Sequence, residues 1–264
     1  MVSFDIITAA GKAYIKLWEE RAYLLHLALV PTLIKLTCYT AAMALGYEEN
    51  ILRLSLCLLP AYFAEGWMLS HLVRLIVLGQ RWPFRPSGDE EADMPLLRER
   101  LRGVMSGTLA YVLINLALAG YLTIMLHFGP QGAAPEDIDP RKALFGFASL
   151  VFAFWAVRLI WLYIPLALNM PARDYLKSLG GFSSSLSLIG VWLLCFVPAV
   201  AAMLIGQSMI LAPFLEGEVP KIVHFSIIFL RVVLDTIKVL LCTAGIAYGL
   251  SDLYNNGRKK GGAS

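Results

Sequence analysis

Charged side chains inside long apolar stretches are the residues of this sequence best suited to chemistry. Seven residues have this character: Lys35, Glu65, Arg74, Arg158, Arg231, Asp235 and Lys238. At the centre of a bilayer each such charge costs about 2.5–3.5 kcal/mol on insertion scales unless it is paired or hydrated. Residues that carry this cost either line a path for protons or ions or form internal ion pairs that offset it.

Three of these residues occur together in the last apolar stretch. Arg231 lies four residues before Asp235, and Lys238 lies three residues after it. Residues at these spacings share one face of an α-helix, so the side chains form a partly self-neutralising strip. The strip could form a path for protons or anions, but we favour an internal ion pair within it that offsets the cost of insertion.

Glu65 is the one acid in its apolar stretch. It either pairs with a cation on another helix, such as Lys35 or Arg158, or stays protonated, and we favour pairing. A paired Glu65 would lie inside a helix bundle. Arg74 is only seven residues before Arg81, so its long side chain is expected to reach the lipid headgroups.

Motifs of known catalytic sites are absent from the sequence. It contains no HExxH, no Walker A loop and no GxSxG elbow. The four histidines lie in four different stretches, and the four cysteines are also separate and form no CxxC pair. We therefore predict a protein that is not an enzyme and that has no catalytic residue, cofactor or metal site.

The composition is that of a membrane protein. Mean hydropathy is +0.68, and 58% of the residues are hydrophobic. Only 16% are charged, against about 25% in soluble domains. The net charge of +3 comes with no basic cluster interleaved with aromatic residues, so no nucleic-acid partner is expected.

Six apolar stretches are each long enough to cross about 30 Å of hydrocarbon as a helix. They cover residues 22–46, 51–79, 104–128, 143–169, 186–213 and 222–250. We predict an all-α polytopic membrane protein with six transmembrane helices in a domain of residues 22–250. A basic tail, residues 251–264, follows this domain. Small residues in the third and sixth stretches, Ala117 with Gly120 and Gly245 with Gly249, favour close helix contacts within the chain.

Residues 1–21 are predicted to form an amphipathic helix in the membrane interface. Apolar and small residues recur at steps of three and four, and the charged residues fall on the opposite side. The apolar face consists of Phe4, Ile7, Gly11, Tyr14 and Trp18. The alternative is a soluble helix packed against the loops.

The distribution of lysine and arginine predicts the orientation. One set of alternating segments holds 13 basic residues and the other set holds 4, and basic residues are retained on the cytoplasmic side. Both termini and the loop 80–103 are therefore predicted to be cytoplasmic. Five acids and five bases cancel in that loop, so a polybasic lipid-binding patch is not expected; it is either a docking element for a partner or a plain solvated loop.

Three parts of the sequence suggest a family. They are the amphipathic start, the stretch HLVRLIVLG from His71 to Gly79, and Arg158 to Pro165 followed by SSSLSLIG from Ser183 to Gly190. In these parts the chain resembles bacterial six-helix inner-membrane proteins related to the membrane domain of glycerophosphodiester phosphodiesterases. The resemblance implies a membrane-embedded domain and carries over no catalytic residue, because the phosphodiesterase chemistry belongs to a separate soluble domain.

Together these observations predict an accessory or scaffold subunit of a larger complex in the bacterial inner membrane. Its expected partners are membrane lipids and other membrane subunits. The alternative is a secondary transporter or channel for a small anion or a lipid, which would use the intramembrane arginines.

Cysteine labelling in intact cells tests the orientation. Because the loop 80–103 is predicted to be cytoplasmic, Ala92→Cys should be shielded from a membrane-impermeant thiol reagent, whereas Ala134→Cys in the next loop should react. The parent protein with its native cysteines gives the background. Ready labelling at position 92 would refute the predicted orientation.

Overall fold

The chain is all-helical. The computed structural model describes residues 5–128, 140–178, 182–214 and 220–261, and no strand occurs among them. Phe4, the loop around Ala134 and the last three residues of the predicted tail lie outside these ranges. The helices are α1 (Ile6–Glu19), α2 (Arg21–Ala44), α3 (Ile51–Cys57), α4 (Leu59–Leu78), α5 (Glu90–Phe128), α6 (Pro140–Ile160), α7 (Tyr163–Ala167), α8 (Ala172–Ser178), α9 (Phe182–Leu211) and α10 (Lys221–Gly261), with a 3₁₀ turn at Ala212–Phe214.

Five helical segments in the described part of the chain are long and apolar enough to cross a membrane. They are Arg21–Ala44, Leu59–Leu78, Asp93–Phe128, Pro140–Ala167 and Ser185–Phe214. This result supports a multi-pass membrane protein. The sixth predicted span lies within α10, which carries Arg231, Asp235 and Lys238 and is not one of the five.

Two predicted spans are broken by short interruptions. The second is divided between α3 and α4 at Leu58, because Pro60 lacks an N–H group and stands in the first turn of a new helix. The fourth is divided between α6 and α7 just before Pro165. By contrast, Pro31 and Pro198 are accommodated inside the continuous helices α2 and α9.

The third span and the loop before it are one helix rather than two. A separate short helix starting near Asp93 and Pro95 was expected, but α5 begins at Glu90 and continues without a break to Phe128. Pro95 lies in the second turn of α5 and lacks the N–H group that would donate to the Glu91 carbonyl, yet the helix continues through it. The exposed start of α5 is therefore rigidly joined to its apolar part.

The amphipathic helix α1 packs against α9 and α10 rather than against loops. Asp5 caps its start by accepting a hydrogen bond from the Ile7 backbone N–H at 3.0 Å. Its buried residues are alanines, including Ala13, whereas Ile7 and Trp18 remain exposed on the other side. The helix thus joins the bundle through small residues and presents large apolar residues outward.

Helix α4 lies at the centre of the bundle, where it contacts α2, α5, α7 and α10. Helix α5 packs closely against α4 and α7 because it has glycines at the points of contact with these two helices. A Cβ atom at Gly107 would lie 2.5 Å from Ser70 Oγ and 2.8 Å from Ala167 Cβ. This GxxxG pair, Gly103 and Gly107, was missed in the sequence, although close contact through small residues is typical of membrane helices.

The small residues that were singled out in the sequence have different surroundings. Gly245 packs against α9, since a Cβ there would be 2.9 Å from both Cys195 Sγ and Val191 Cγ1. Gly120 faces open space, with nothing within 4 Å of a Cβ at that position. Among the residues that the structure describes, the expected close contact is therefore present at Gly245 and absent at Gly120.

Two glycines of α5 allow a matched test of this packing. Gly120→Ala should stabilise the fold by up to about 1 kcal/mol, because alanine is the better helix former. Gly107→Ala should instead destabilise it by about 1–3 kcal/mol, because the methyl group collides with α7. The free energy of unfolding in mixed micelles, measured by SDS titration, checks both values. Equal effects of the two substitutions would contradict the described α5–α7 contact.

Candidate functional site

Four of the seven charged residues form a buried ionic cluster that joins three helices. Lys35 of α2 contacts Glu65 of α4, with 2.6 Å between Nζ and Oε1, and also pairs with Asp235 of α10. Asp235 in turn pairs with Lys238, one turn further along α10. The order of pairing is Glu65, Lys35, Asp235, Lys238, so anions and cations alternate and the net charge of the ionic cluster is zero.

The inner end of the ionic cluster is completed by a tyrosine. Tyr111 of α5 donates its O–H to Glu65 Oε2 at 2.8 Å, so both carboxylate oxygens have a partner. The side chains of Lys35 and Glu65 are only 7% and 5% exposed. Because burial of an unpaired charge is costly, these hydrogen bonds are what make the interior position tolerable.

The outer end of the ionic cluster reaches the surface of the bundle. The side chains of Asp235 and Lys238 are 23% and 26% exposed. Lys238 Nζ also lies 5.6 Å from the centre of the Phe196 ring of α9, which is within the range of a cation–π contact. The ionic cluster therefore links α2, α4 and α10 directly, and α5 and α9 through aromatic side chains.

Buried tyrosines extend the polar contacts beyond the ionic cluster. The Tyr111 and Tyr163 rings meet edge to face with centroids 5.3 Å apart. The Tyr163 hydroxyl shares a hydrogen bond of 2.7 Å with Thr243 Oγ1 of α10. Sequence reasoning missed these tyrosines, because an aromatic residue in an apolar stretch gives no signal that its hydroxyl is needed.

Arg74 is placed differently from the prediction. It was expected to reach the headgroups, but the residue is fully buried. Its Nη1 donates to the Ala167 carbonyl and its Nε to Gln80 Oε1, both at 2.9 Å, and Nη2 lies 3.5 Å from Glu99 Oε1. The missing side chain of Gly103 makes room for it, since a Cβ there would be 2.6 Å from Nη1. Arg74 thus links α4 to α5 and α7 through these contacts.

Arg231 does not take part in the ion pair that its spacing suggested. Both carboxylate oxygens of Asp235 are already occupied, Oδ1 by Lys238 and Oδ2 by Lys35. Arg231 is exposed, and within the described ranges no acid lies close enough to form an ion pair with it. The internal ion pair expected in this strip is therefore present between Asp235 and Lys238, whereas Arg231 takes no part in it and Lys35 supplies the second cation from another helix.

Arg158 lies apart from the ionic cluster, at the end of α6. Its guanidinium stacks over the Trp155 ring at 4.9 Å, and its Nε donates to the Trp155 carbonyl at 3.1 Å. The Arg158 carbonyl accepts a hydrogen bond from Tyr175 of α8. Of the two partners considered for Glu65, the structure brings Lys35 to it and not Arg158.

The chemistry available to the ionic cluster is limited by its pairing. Each carboxylate contacts a cation, so neither is free to act as a base toward another group. The four cysteines are free thiols. Among the residues that the structure describes, no group of three or more histidine, cysteine, aspartate or glutamate side chains could hold a metal ion.

Comparison with protein families, with curated proteins and with solved structures found no match to this chain. The resemblance to six-helix inner-membrane proteins therefore stays a prediction.

Removing Glu65 tests the ionic cluster. Glu65→Ala should lower the free energy of unfolding by about 3–5 kcal/mol, because Lys35 is left with an unbalanced positive charge in the interior. In the double variant Glu65→Ala/Lys35→Met, the loss of free energy of unfolding should be smaller than the sum of the losses in the two single variants. The reason is that Lys35→Met removes the unbalanced charge. SDS titration of the purified variants measures each value.

Arg231→Gln is the matched control for this test, since Arg231 is exposed and lies outside the ionic cluster. Its effect should be within about 0.5 kcal/mol. If Glu65→Ala were no more destabilising than Arg231→Gln, the pairing of Glu65 would be refuted.

Proposed function

We propose that this chain is a non-enzymatic, multi-pass protein of a bacterial inner membrane and acts as an accessory or scaffold subunit of a larger membrane complex. The observation that carries the proposal is the pairing within the ionic cluster. Lys35, Glu65, Asp235 and Lys238 neutralise one another and link helices, which is a structural use of intramembrane charge. A rigid bundle held in this way suits a subunit whose task is to position its partners.

We further propose six spans, with α10 as the sixth, and both termini on the cytoplasmic side. Contacts of α1 support this topology. The Ile6 side chain packs against Gly190 near the start of α9, where an added Cβ would lie 3.0 Å from Ile6 Cδ1. Ala13 packs near Gly245 in the second half of α10, where an added Cβ would lie 3.9 Å from Ala13 Cβ. A chain that crosses six times brings these three elements to the same end of the bundle, where α1 would lie in the membrane interface.

Helix α6 offers the surface for a partner subunit. No residue of α6 is buried, although the helix contacts α5 and α9. Four large exposed side chains follow one another at steps of three and four residues: Leu144, Phe147, Val151 and Trp155. Such a stripe is the pattern by which one helix packs against another, so the proposed occupant is a transmembrane helix of the partner.

A transporter or channel for a small anion or lipid is the alternative, and it would need the intramembrane arginines to face a path. Arg74 instead donates to the Ala167 carbonyl and to Gln80. Arg158 stacks on Trp155 at the end of α6. These contacts favour the accessory role over transport along the bundle interior.

Photocrosslinking in living cells tests the accessory role. A benzophenone amino acid placed at Phe147 or Val151 should give one protein adduct of defined mass, because both positions face the proposed partner helix. The matched position is Leu29, an equally exposed residue of α2, where only lipid adducts are expected. Immunoblotting and mass spectrometry of the adduct provide the measurement.

Three outcomes would contradict the accessory role. The first is the absence of a protein adduct at both α6 positions, and the second is the same adduct at Leu29. The third is an adduct at twice the chain mass of 29.2 kDa, because it would show contact with a second copy of this chain and not with a different subunit.

A further inference from the structure

Two cavities meet where the segment 79–86 crosses the ends of α2 and α4. The first, here called the basic cleft, has a volume of about 460 Å³. Three arginines line it, Arg81 and Arg85 from the segment and Arg100 from α5, together with the ring of Phe84. No aspartate or glutamate is among its lining residues.

Of the three arginines, Arg81 is neutralised by an acid. Arg81 donates two hydrogen bonds to Glu20, at 2.7 and 2.8 Å. Partial burial disfavours ionisation of Glu20, but hydrogen bonds from Lys16 and Arg81 outweigh it and lower the pKa of its carboxyl. Glu20 therefore stays charged at neutral pH, and its charge is committed to Lys16 and Arg81.

Arg85 and Arg100 have no acidic partner in the part of the chain that the structure describes. Arg100 is only 6% exposed. It donates to the Arg81 carbonyl, and its buried Nε has no hydrogen-bond partner among these residues. A guanidinium group in this position lacks a counter-charge, and an anion in the basic cleft supplies one.

The acids of the predicted loop 80–103 do not line the basic cleft. Asp93 accepts hydrogen bonds from the Ser87 N–H at 2.8 Å and from Ser87 Oγ at 2.9 Å. Glu99 lies beside Arg74. The five acids and five bases of residues 80–103 balance in number but are separated in space. The basic cleft is therefore positively charged.

The second cavity, here called the apolar groove, has a volume of about 670 Å³ and lies between α2 and α4. Leu27, Val30 and Ala64 are among its lining residues, and no aspartate, glutamate, lysine or arginine is. Along α2 the groove extends from Tyr23 to Pro31, about 12 Å at 1.5 Å per residue.

The two cavities share a wall formed by Tyr23, Trp82 and Pro83. A hydrogen bond from the Trp82 backbone N–H to Tyr23 Oη, 2.8 Å long, holds this wall in place. One molecule with an anionic head and an apolar tail is therefore able to occupy both cavities around the shared wall.

We propose that the basic cleft and the apolar groove together bind one anionic phospholipid. Its phosphate lies between Arg85 and Arg100, and one acyl chain lies in the apolar groove along α2. A soluble anion would leave the apolar groove unused, and a neutral lipid would leave the two arginines without a counter-charge. This site does not depend on the accessory role proposed above.

Native mass spectrometry of the delipidated full chain tests the site. The probes are phosphatidylglycerol, which is anionic, and phosphatidylcholine with the same acyl chains, which is zwitterionic. One molecule of phosphatidylglycerol should bind about tenfold more tightly, the effect of one charge-assisted hydrogen bond. Glycerol phosphate has the anion without the chains and should not displace the lipid at equal concentration.

Substitutions assign the two halves of the site. Arg85→Gln and Arg100→Gln should each weaken phosphatidylglycerol binding about tenfold. They should weaken phosphatidylcholine binding less, because the choline group of that lipid already offsets the charge of its phosphate. Arg85 is exposed, so its variant is expected to fold even if the Arg100 variant does not. Arg98→Gln, an exposed arginine that lines neither cavity, is the control and should change nothing.

Filling the apolar groove should act differently. Val30→Trp should weaken the binding of both lipids equally, because it displaces the acyl chain. Leu29→Trp, on the neighbouring exposed position of α2 outside the apolar groove, is its control.

Each half of the proposal is overturned by a distinct result. Equal affinity for the two lipids, unchanged by Arg85→Gln, would show that the basic cleft binds no anionic headgroup. Unchanged lipid binding in Val30→Trp would show that no acyl chain binds in the apolar groove. Displacement of phosphatidylglycerol by an equal concentration of glycerol phosphate would identify the ligand as a soluble anion.

Discussion

The ammonium group of Lys35 is shared by carboxylates from two other helices, and the arrangement of the bundle depends on this contact. Lipid is as apolar as the side chains of a membrane helix, so burial alone does little to hold such helices together, and polar contacts and close packing take over that role. Lys35 lies on α2, Glu65 on α4 and Asp235 on α10. Because removal of any one of them leaves an unbalanced charge in the interior, the three helices are specified as neighbours.

Close packing supplies the second part of this arrangement. Gly103 and Gly107 let α5 approach α4 and α7, and the space at Gly103 is used by the guanidinium of Arg74. The ionic cluster and the glycine contact both involve the central helix α4, about two turns apart. A helix without such contacts, α6, remains at the periphery with no buried residue.

Local features of this protein could be predicted from its sequence, whereas contacts between distant residues could not. Hydropathy located the apolar helices, because a run of apolar residues is a local property. Helical spacing placed Lys238, one partner of Asp235, on the same face of α10, but it gives no information on the other partner, Lys35, which is 200 residues away. Arg74 was misplaced for the same reason: its burial depends on a glycine in α5 and a carbonyl in α7.

One continuous helix, α5, connects the aqueous edge of the protein to its interior. Arg100 and Tyr111 are both on it, eleven residues apart, which is about 16 Å along the axis. Arg100 contacts the segment 79–86, and Tyr111 hydrogen-bonds Glu65. Since α5 is continuous over these residues, the contact with the segment 79–86 and the hydrogen bond that completes the ionic cluster are held at a fixed separation along one helix.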